Sequence, residues 1–487
     1  MGSGMMTRPL VEVAEFAQGT LLSPQAGRAA VTGVVTDSRR AGPGSFFVAI
    51  KGERTDGHAH LAAAARAGAV GALVSDQQAA RAALAGAGLT EEDLPLVLVA
   101  DTVTAVGDLA RGHLADLRRR ARARGSALRV VAMTGSVGKT TTKDLTRQLL
   151  APTAPTIAPV ASFNNEIGLP LTVLEASEAT RFLVLEMGAS APGHIDYLTA
   201  IAPPDAAAVL MIGHAHMGGF GSIAGVAQAK SEIIAGLVPG GTAVLNHDDA
   251  RARAMASLAS GPVLTFSAQG DPQAAVRATG TVVDDRARAA FDLHLPGVEP
   301  RRVRLGVPGV HNIVNALAAS GLALAAGLGA EAIAERLEGA RMESPHRMDV
   351  VALGGDLLLV DDSYNANIDS MSAALRALPA LAGRRRRVVV VSEMLELGDS
   401  SRADHRRTGQ EAAAAGAQLL VTVGAGAGPA AQEARAAGVE VVELPDATTA
   451  IAQIDSLVHD GDAVLVKGSH GSGAWRLADH LKEVRPR

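Results

Sequence analysis

Residues 132–143 read AMTGSVGKTTTK. Successive backbone N–H groups from Gly135 through Ser136, Val137 and Gly138 to Thr141 can wrap a phosphate chain, and the helix that follows points its positive end at the same place. Lys139 would neutralise the terminal phosphate oxygens, and Thr140 would offer a hydroxyl to Mg²⁺. The strict G-x-x-x-x-G-K-T spacing asks for glycine at 133, where this chain has Met133, so the loop reads as a shortened variant, TGSxGKT. Glu186 closes the apolar run FLVLE. In a phosphate-loop sheet, an acid at the end of a neighbouring strand holds Mg²⁺ directly or through water. IGHAHMGGFGS, 212–222, sets two histidines just after a strand, at an edge from which one could reach a metal. Lys230, in GVAQAKSEII, reads by itself as a solvated helix lysine.

These groups need a scaffold that brings strand ends together. RVVAM leads into the glycine-rich loop, and RFLVLEMG, AAAVLMIG and TAVLNHDD are further buried-strand runs separated by helical segments. Such alternation implies a parallel sheet wound on both faces, with ligands gathered at the C-terminal strand edge. The first hundred residues (VTGVVTDS, SFFVAI, HLAAAARAGAVGALVSD, LPLVLVAD) predict a small α/β module. A third block begins near Ser344, where LLLVDDSYNAN, RRRRVVVVSEMLELG, AQLLVTVGAG, VEVVELP and DAVLVKGSHG predict another open α/β sheet. The expected fold is therefore α/β in three domains: a small N-terminal α/β domain over 1–104, a central P-loop ATPase-like parallel sheet over 105–343, and a C-terminal Rossmann-like domain over 344–487.

Composition bounds what this scaffold can be. At 487 residues the chain is too long for one core. Apolar residues make up 48% and charged residues 20%, as in soluble globular proteins, and with 2% aromatics the core must be built from Ala, Val and Leu. A net charge of -5 offers no case for nucleic acid or an anionic membrane surface. There are no cysteines, which excludes disulfides and thiolate metal sites and fits a reducing cytoplasm. No secretory signal is visible, and the opening MGSGMM reads as an appended leader before a native start near Met5 or Met6. The uncharged stretch 313–330 approaches membrane-span length, yet its small residues predict a close-packed helix inside a soluble domain. The arginines at 118, 119, 120, 122 and 124 are read as a solvated helix end near a domain joint, and Arg384 to Arg387 as gatekeepers beside the apolar VVVV.

Taken in order, TGSVGKTTTK, SFNNEIGLP, LEMGAS, HAHMGGFGS with AKSEI, GVHNIVNALAA, SPHRMD and DDSYNAN resemble the motif series of the Mur ligases. Residues 36–60, TDSRRAGPGSFFVAIKGERTDGHAH, are similar to the N-terminal domain of the branch that adds D-alanyl-D-alanine to UDP-N-acetylmuramoyl-tripeptide. The resemblance covers nearly the whole chain. It implies an ATP- and Mg²⁺-dependent amide ligase in which the N-terminal domain holds the UDP sugar, the central domain binds ATP, and the C-terminal domain closes over the nucleotide and helps bind the amine.

Position by position, the resemblance implies that Lys139 and Thr140 serve the phosphates and Mg²⁺, and that Glu186 and His216 help hold the metal. Lys230 matches the family's carbamoylated lysine, which would replace a cation by an anion suited to Mg²⁺. Asn312 would contact adenine, while Arg347 and Asp362 would reach the nucleotide from the third domain. Ser38 and Arg39, with Asn164 and Asn165, would lie along the path of the UDP substrate. A cytoplasmic monomer with UDP-N-acetylmuramoyl-tripeptide and D-alanyl-D-alanine as substrates is expected.

Two alternatives compete. Another ligase of the superfamily would fit the same loop, but the Asp-Asn-Pro-Arg signature of the diaminopimelate-adding relative is missing, and DDSYNAN at 361–367 favours the dipeptide-adding branch over a folylpolyglutamate-type enzyme. A P-loop switch or transport ATPase lacks the guanine-selecting Asn-Lys-x-Asp and any membrane or partner-binding segment.

Overall fold

The computed structural model describes residues 7–52, 55–160, 162–213 and 220–486. Among these, three sheets carry the fold, with a short antiparallel ladder joining Arg8–Pro9 to Ala30–Val31. The N-terminal sheet runs in the order Thr20–Leu21, Leu96–Leu98, Gly71–Val74, Ser45–Val48, Gly33–Val35. Its pairings are parallel except for the edge strand Thr20–Leu21.

The central sheet has nine strands, with Arg129–Thr134 between Ala206–Val209 and Phe182–Glu186. From Thr156–Ile157 across to Val276–Val283 every pairing is parallel. The strands at its centre, Arg129–Thr134, Phe182–Glu186, Ala206–Val209 and Thr242–Asn246, are buried along nearly their whole length because helices cover both faces. Beyond them Val276–Val283, Arg288–His294 and Arg301–Pro308 extend the sheet in antiparallel fashion, a departure from the purely parallel sheet expected. The cause is legible in the burial pattern: Arg301–Pro308 alternates exposed and buried residues, as a strand wet on one face must. The third sheet is parallel apart from its antiparallel edge Asp349–Leu353, and the order continues Leu357–Asp362, Ala463–Lys467, Arg387–Ser392, Leu419–Val423, Glu440–Leu444.

The uncharged stretch at 313–330 forms the helix Asn312–Ala325, buried along most of its length in the central core. Its small residues allow close approach: a Cβ on Gly321 would stand 2.7 Å from Val244 Cγ1. No helix among the described residues is long and apolar enough to cross a membrane.

The helix Thr102–Ala123 ties the first two sheets together. Its apolar face belongs to a single core that runs from Leu10 to Met255. Arg8, with no exposed surface, donates to His113 Nδ1 at 2.8 Å and to Asp116 at 2.8 Å. Burial pushes the His113 pKa down to about 4, so its ring is neutral and can accept. The arginine cluster at the helix end is spent on this joint: Arg118 pairs with Asp205 at 2.6 Å, Arg120 with Asp116 at 2.8 Å, and Arg124 with Glu178. Of the later run, Arg385 pairs with Asp356 and Arg386 with Asp462 beside the strand Arg387–Ser392.

Candidate active site

The phosphate loop lies where the central strand Arg129–Thr134 meets the helix Lys139–Leu150. Met133 is fully buried and stands in register with Glu186 on the adjacent strand. Position 133 is thus still sheet, and the bend falls entirely within Gly135–Gly138, which is why no glycine is needed earlier. Gly138 has φ +87°, and a Cβ there would meet Asn315 Oδ1 at 2.2 Å. Both backbone conformation and space therefore require glycine. Lys139 Nζ donates to the Gly135 carbonyl at 2.8 Å, across the mouth of the loop. Burial lowers its pKa from the usual lysine value, opposed by Glu186 and reinforced by Arg347.

Glu186 has no exposed surface. Its Oε2 accepts from Thr140 at 3.2 Å and from Ser162 at 3.1 Å, and Asn164 donates to Ser162 at 2.8 Å. Its Oε1 is buried without a hydrogen-bond partner among the described residues. A buried carboxylate oxygen left over beside a threonine hydroxyl is the hard-oxygen donor set that Mg²⁺ prefers. His216 lies outside the described residues. Asn165 Oδ1 accepts from Gly168 N–H at 2.9 Å, at the start of the helix Gly168–Leu174.

Lys230 corrects the reading of a solvated lysine. It is 2% exposed on the helix Ile223–Ala235, where Val226, Ala229, Ile233 and Ile234 share its buried face. That spacing of i, i+3, i+4, i+7 and i+8 was present in the sequence and marks an inward-facing position. Burial, with the like charge of Lys139, pushes its pKa well below the usual lysine value. Among the described residues no carboxylate acts on it.

The opposite wall comes from the third sheet. A cleft of about 940 Å³ brings together Lys139, Thr140, Asn164, Asn312, Arg347 and Asp362. Arg347 donates to Thr140 Oγ1 at 3.2 Å and lies over the Tyr364 ring, 4.4 Å from its centroid. Asn312, nearly buried, donates to the Pro308 carbonyl at 2.7 Å and accepts from Asn315 at 2.7 Å. Asp362 accepts from Met348 N–H at 3.1 Å and pairs with the buried Lys467 at 2.5 Å. Sequence reasoning missed Lys467, Asn315 and Ser162. Lys467 ends a strand of five buried residues, a signal equal to the one that singled out Glu186. Ser38 and Arg39 do not line the cleft; the Arg39 side chain is 88% exposed and pairs with Asp37 at 2.7 Å.

Chemically, the cleft offers backbone amides and two cations for a polyphosphate, and behind its lining residues Thr140 and Ser162 lies the buried acid Glu186. Family models match three segments: the Mur ligase family catalytic domain over residues 30–113, the Mur ligase middle domain over 133–323, and the Mur ligase glutamate ligase domain over 346–470. The chain is 38% identical to the UDP-N-acetylmuramoyl-tripeptide--D-alanyl-D-alanine ligase of Mycobacterium tuberculosis (strain ATCC 25618 / H37Rv), with 98% of each chain covered. It is 36% identical to the same-named ligase of Escherichia coli (strain K12), over 98% of this chain and 99% of that one. Among solved structures, MurF from Acinetobacter baumannii superposes with a TM-score of 0.83 at 31% identity, covering 98% of this chain and 99% of that one. The MurF ligase from Thermotoga maritima in complex with ADP superposes with a TM-score of 0.72 at 25% identity, covering 93% and 97%. The three-sheet architecture, the motif order and these likenesses converge: the chain belongs to the Mur ligase family.

Proposed function

We propose that this chain is an ATP-dependent ligase that joins D-alanyl-D-alanine to the terminal carboxylate of UDP-N-acetylmuramoyl-tripeptide in peptidoglycan precursor synthesis. The observation that carries the reading is one cleft in which Lys139, Thr140 and Asn312 face Arg347 and Asp362 from a different sheet. The names of the nearly full-length relatives, and the ADP held by the Thermotoga maritima structure, support it.

A carboxylate is a poor electrophile, so ATP is the reagent that activates it. The tripeptide carboxylate oxygen attacks the γ-phosphorus; an O–P bond forms, the bond to the β-bridging oxygen breaks, and ADP leaves. The dipeptide's neutral amine then attacks the acyl carbon, and the tetrahedral adduct releases phosphate and a proton. Two anions must meet in the first step. Lys139 would offset that repulsion, with Arg347 approaching from the far wall. Closure of the third domain would keep water from the acyl phosphate.

Thr140, Glu186 and Lys230, with His216, would hold Mg²⁺, which when bound supplies charge neutralisation on the phosphates. The buried spare oxygen of Glu186 fits that role, whereas an ammonium at Lys230 does not. The lowered pKa of Lys230 supports a way out of this conflict. A neutral amine can add to CO₂, forming an N–C bond and losing a proton, and the product is an anionic carbamate. Residues 1–104, with Ser38 and Arg39, are assigned to the UDP substrate, whose path continues to Asn164 and Asn165. Residues 105–343 are assigned to ATP, and 344–487 to closure and the dipeptide, in a monomer acting in the cytoplasm.

The purified protein is expected to release phosphate only with ATP, UDP-muramoyl-tripeptide and D-alanyl-D-alanine together. Equal release without either co-substrate overturns the reading. Running the assay with lysine-containing and diaminopimelate-containing tripeptides identifies the accepted third residue.

A further inference from the structure

Arg347 reaches Thr140 from a backbone that an ordinary loop would not adopt. The residues on either side of it, His346 (φ +59°) and Met348 (φ +48°), are both left-handed and neither is glycine. Such conformations persist only where the surroundings enforce them. The enforcing contacts are specific. His346 Nδ1 lies 2.8 Å from Asp361 Oδ2, and Asp361 is itself fixed by Ser363 Oγ at 2.5 Å and Lys482 Nζ at 2.6 Å. The His346 carbonyl accepts from Tyr364 N–H at 3.2 Å, and Met348 N–H donates to Asp362.

The ring system extends the same clamp. The guanidinium of Arg347 lies over Tyr364, Tyr364 is 5.2 Å from the His470 ring, and His470 stacks on Trp475 at 5.6 Å. Trp475 in turn is 6.3 Å from His346. A chain with one tryptophan and two tyrosines places the tryptophan and one tyrosine here. Upstream, Ser344 is held to the phosphate-loop helix by Asp144 and Lys143.

We propose that His346 is a positioning residue for the phosphoryl-transfer step: its bond to Asp361 holds the left-handed turn that aims Arg347 at the phosphate loop. The hydrogen bond to Asp361 also raises the His346 pKa against the opposing effect of burial. The kinetic part of the test rests on the ligase reading, and the binding part does not.

The test is a double-mutant cycle on the full chain, using His346→Ala, Arg347→Ala and both together. Thermal unfolding, kcat and KM in the three-substrate assay, and the Kd of MgADP by calorimetry are measured. His346→Ala is expected to lower kcat about 10²-fold, as misaimed groups do, with little change in the KM for the UDP substrate. The double variant is expected to be no worse than Arg347→Ala in kcat or in MgADP affinity. His346→Gln, whose amide can still donate to Asp361, is expected to recover most of the loss. Multiplicative losses in the double variant, or no rescue by Gln, overturn the proposal. If His346→Ala does not fold, Asp361→Asn takes its place in the cycle: non-additive losses with Arg347→Ala support the proposal, and multiplicative losses overturn it. If phosphate release proves independent of the peptide substrates, the ligase reading fails, and the MgADP cycle still decides the role of His346.

Discussion

Lys143 and Lys230 are equally hidden, at 1% and 2% exposure, on helices that flank the same sheet, and they could hardly be more different. Lys143 is fully used: it pairs with Asp144 at 2.7 Å and donates to the Pro159 carbonyl at 2.7 Å and Ser344 Oγ at 2.8 Å. Lys230 has no carboxylate acting on it among the described residues, and Lys139 adds a like charge. A buried cation with a complete set of partners is architecture. One without them is destabilising unless it loses its proton or changes chemically. The difference separates two residues that composition and local sequence make look alike.

The largest break in this comparison is expected from Lys230→Ala. Losing the anion proposed to help hold the metal beside the phosphates should reduce kcat about 10³-fold. Lys230→Glu, which needs no CO₂, should recover part of that activity in bicarbonate-free buffer, and an inactive Glu variant would argue against a carbamate. Independently of turnover, ¹³C NMR of protein equilibrated with ¹³CO₂ should show a carbamate resonance that Lys230→Ala abolishes and Lys143→Met retains.

Next in size is the cost of removing the partnered lysine. Lys143→Met should destabilise the protein by about 3 kcal/mol, because Asp144 stays buried without its cation. Urea unfolding measures this. Lys230→Met should do the opposite and raise the midpoint at neutral pH in CO₂-free buffer. The folded pKa of Lys230 lies well below 10.5, so the unfolded chain binds the extra proton in that interval, and wild-type stability rises with pH across it. Lys230→Met should flatten that slope, and an unchanged slope would contradict the burial argument.

The smallest effect concerns His346, faced by Asp361, Asp479 and Lys482. Its folded pKa is raised above 6.5. The stability it contributes is therefore complete below that value and fades as pH rises through the folded pKa. A pH series of melting temperatures for wild type and His346→Gln should converge towards alkaline pH.

The two lysines also mark how far the sequence could be read. The phosphate loop and Glu186 were legible because each ends a buried strand, and parallel strand ends share an edge. Lys230 was misread as solvated although its apolar helical spacing signals burial, and the carbamate proposed for it entered through family resemblance. What Lys143 does was not legible, since Ser344 is 201 residues away and no local pattern links them. Arg347, which reaches Thr140 across 207 residues, likewise followed from no local pattern and entered only through family resemblance. The antiparallel extension of the central sheet was missed because strands wet on one face alternate in polarity and resemble loops in an alanine- and glycine-rich chain.

The core that runs unbroken from Leu10 to Met255 fuses the N-terminal module to the middle one, while the third sheet encloses two cores almost wholly its own. Heating should therefore meet two cooperative units where the architecture counts three domains. The first two would melt as one block, and the segment from His346 onward could lose its fold while the nucleotide loop keeps its shape.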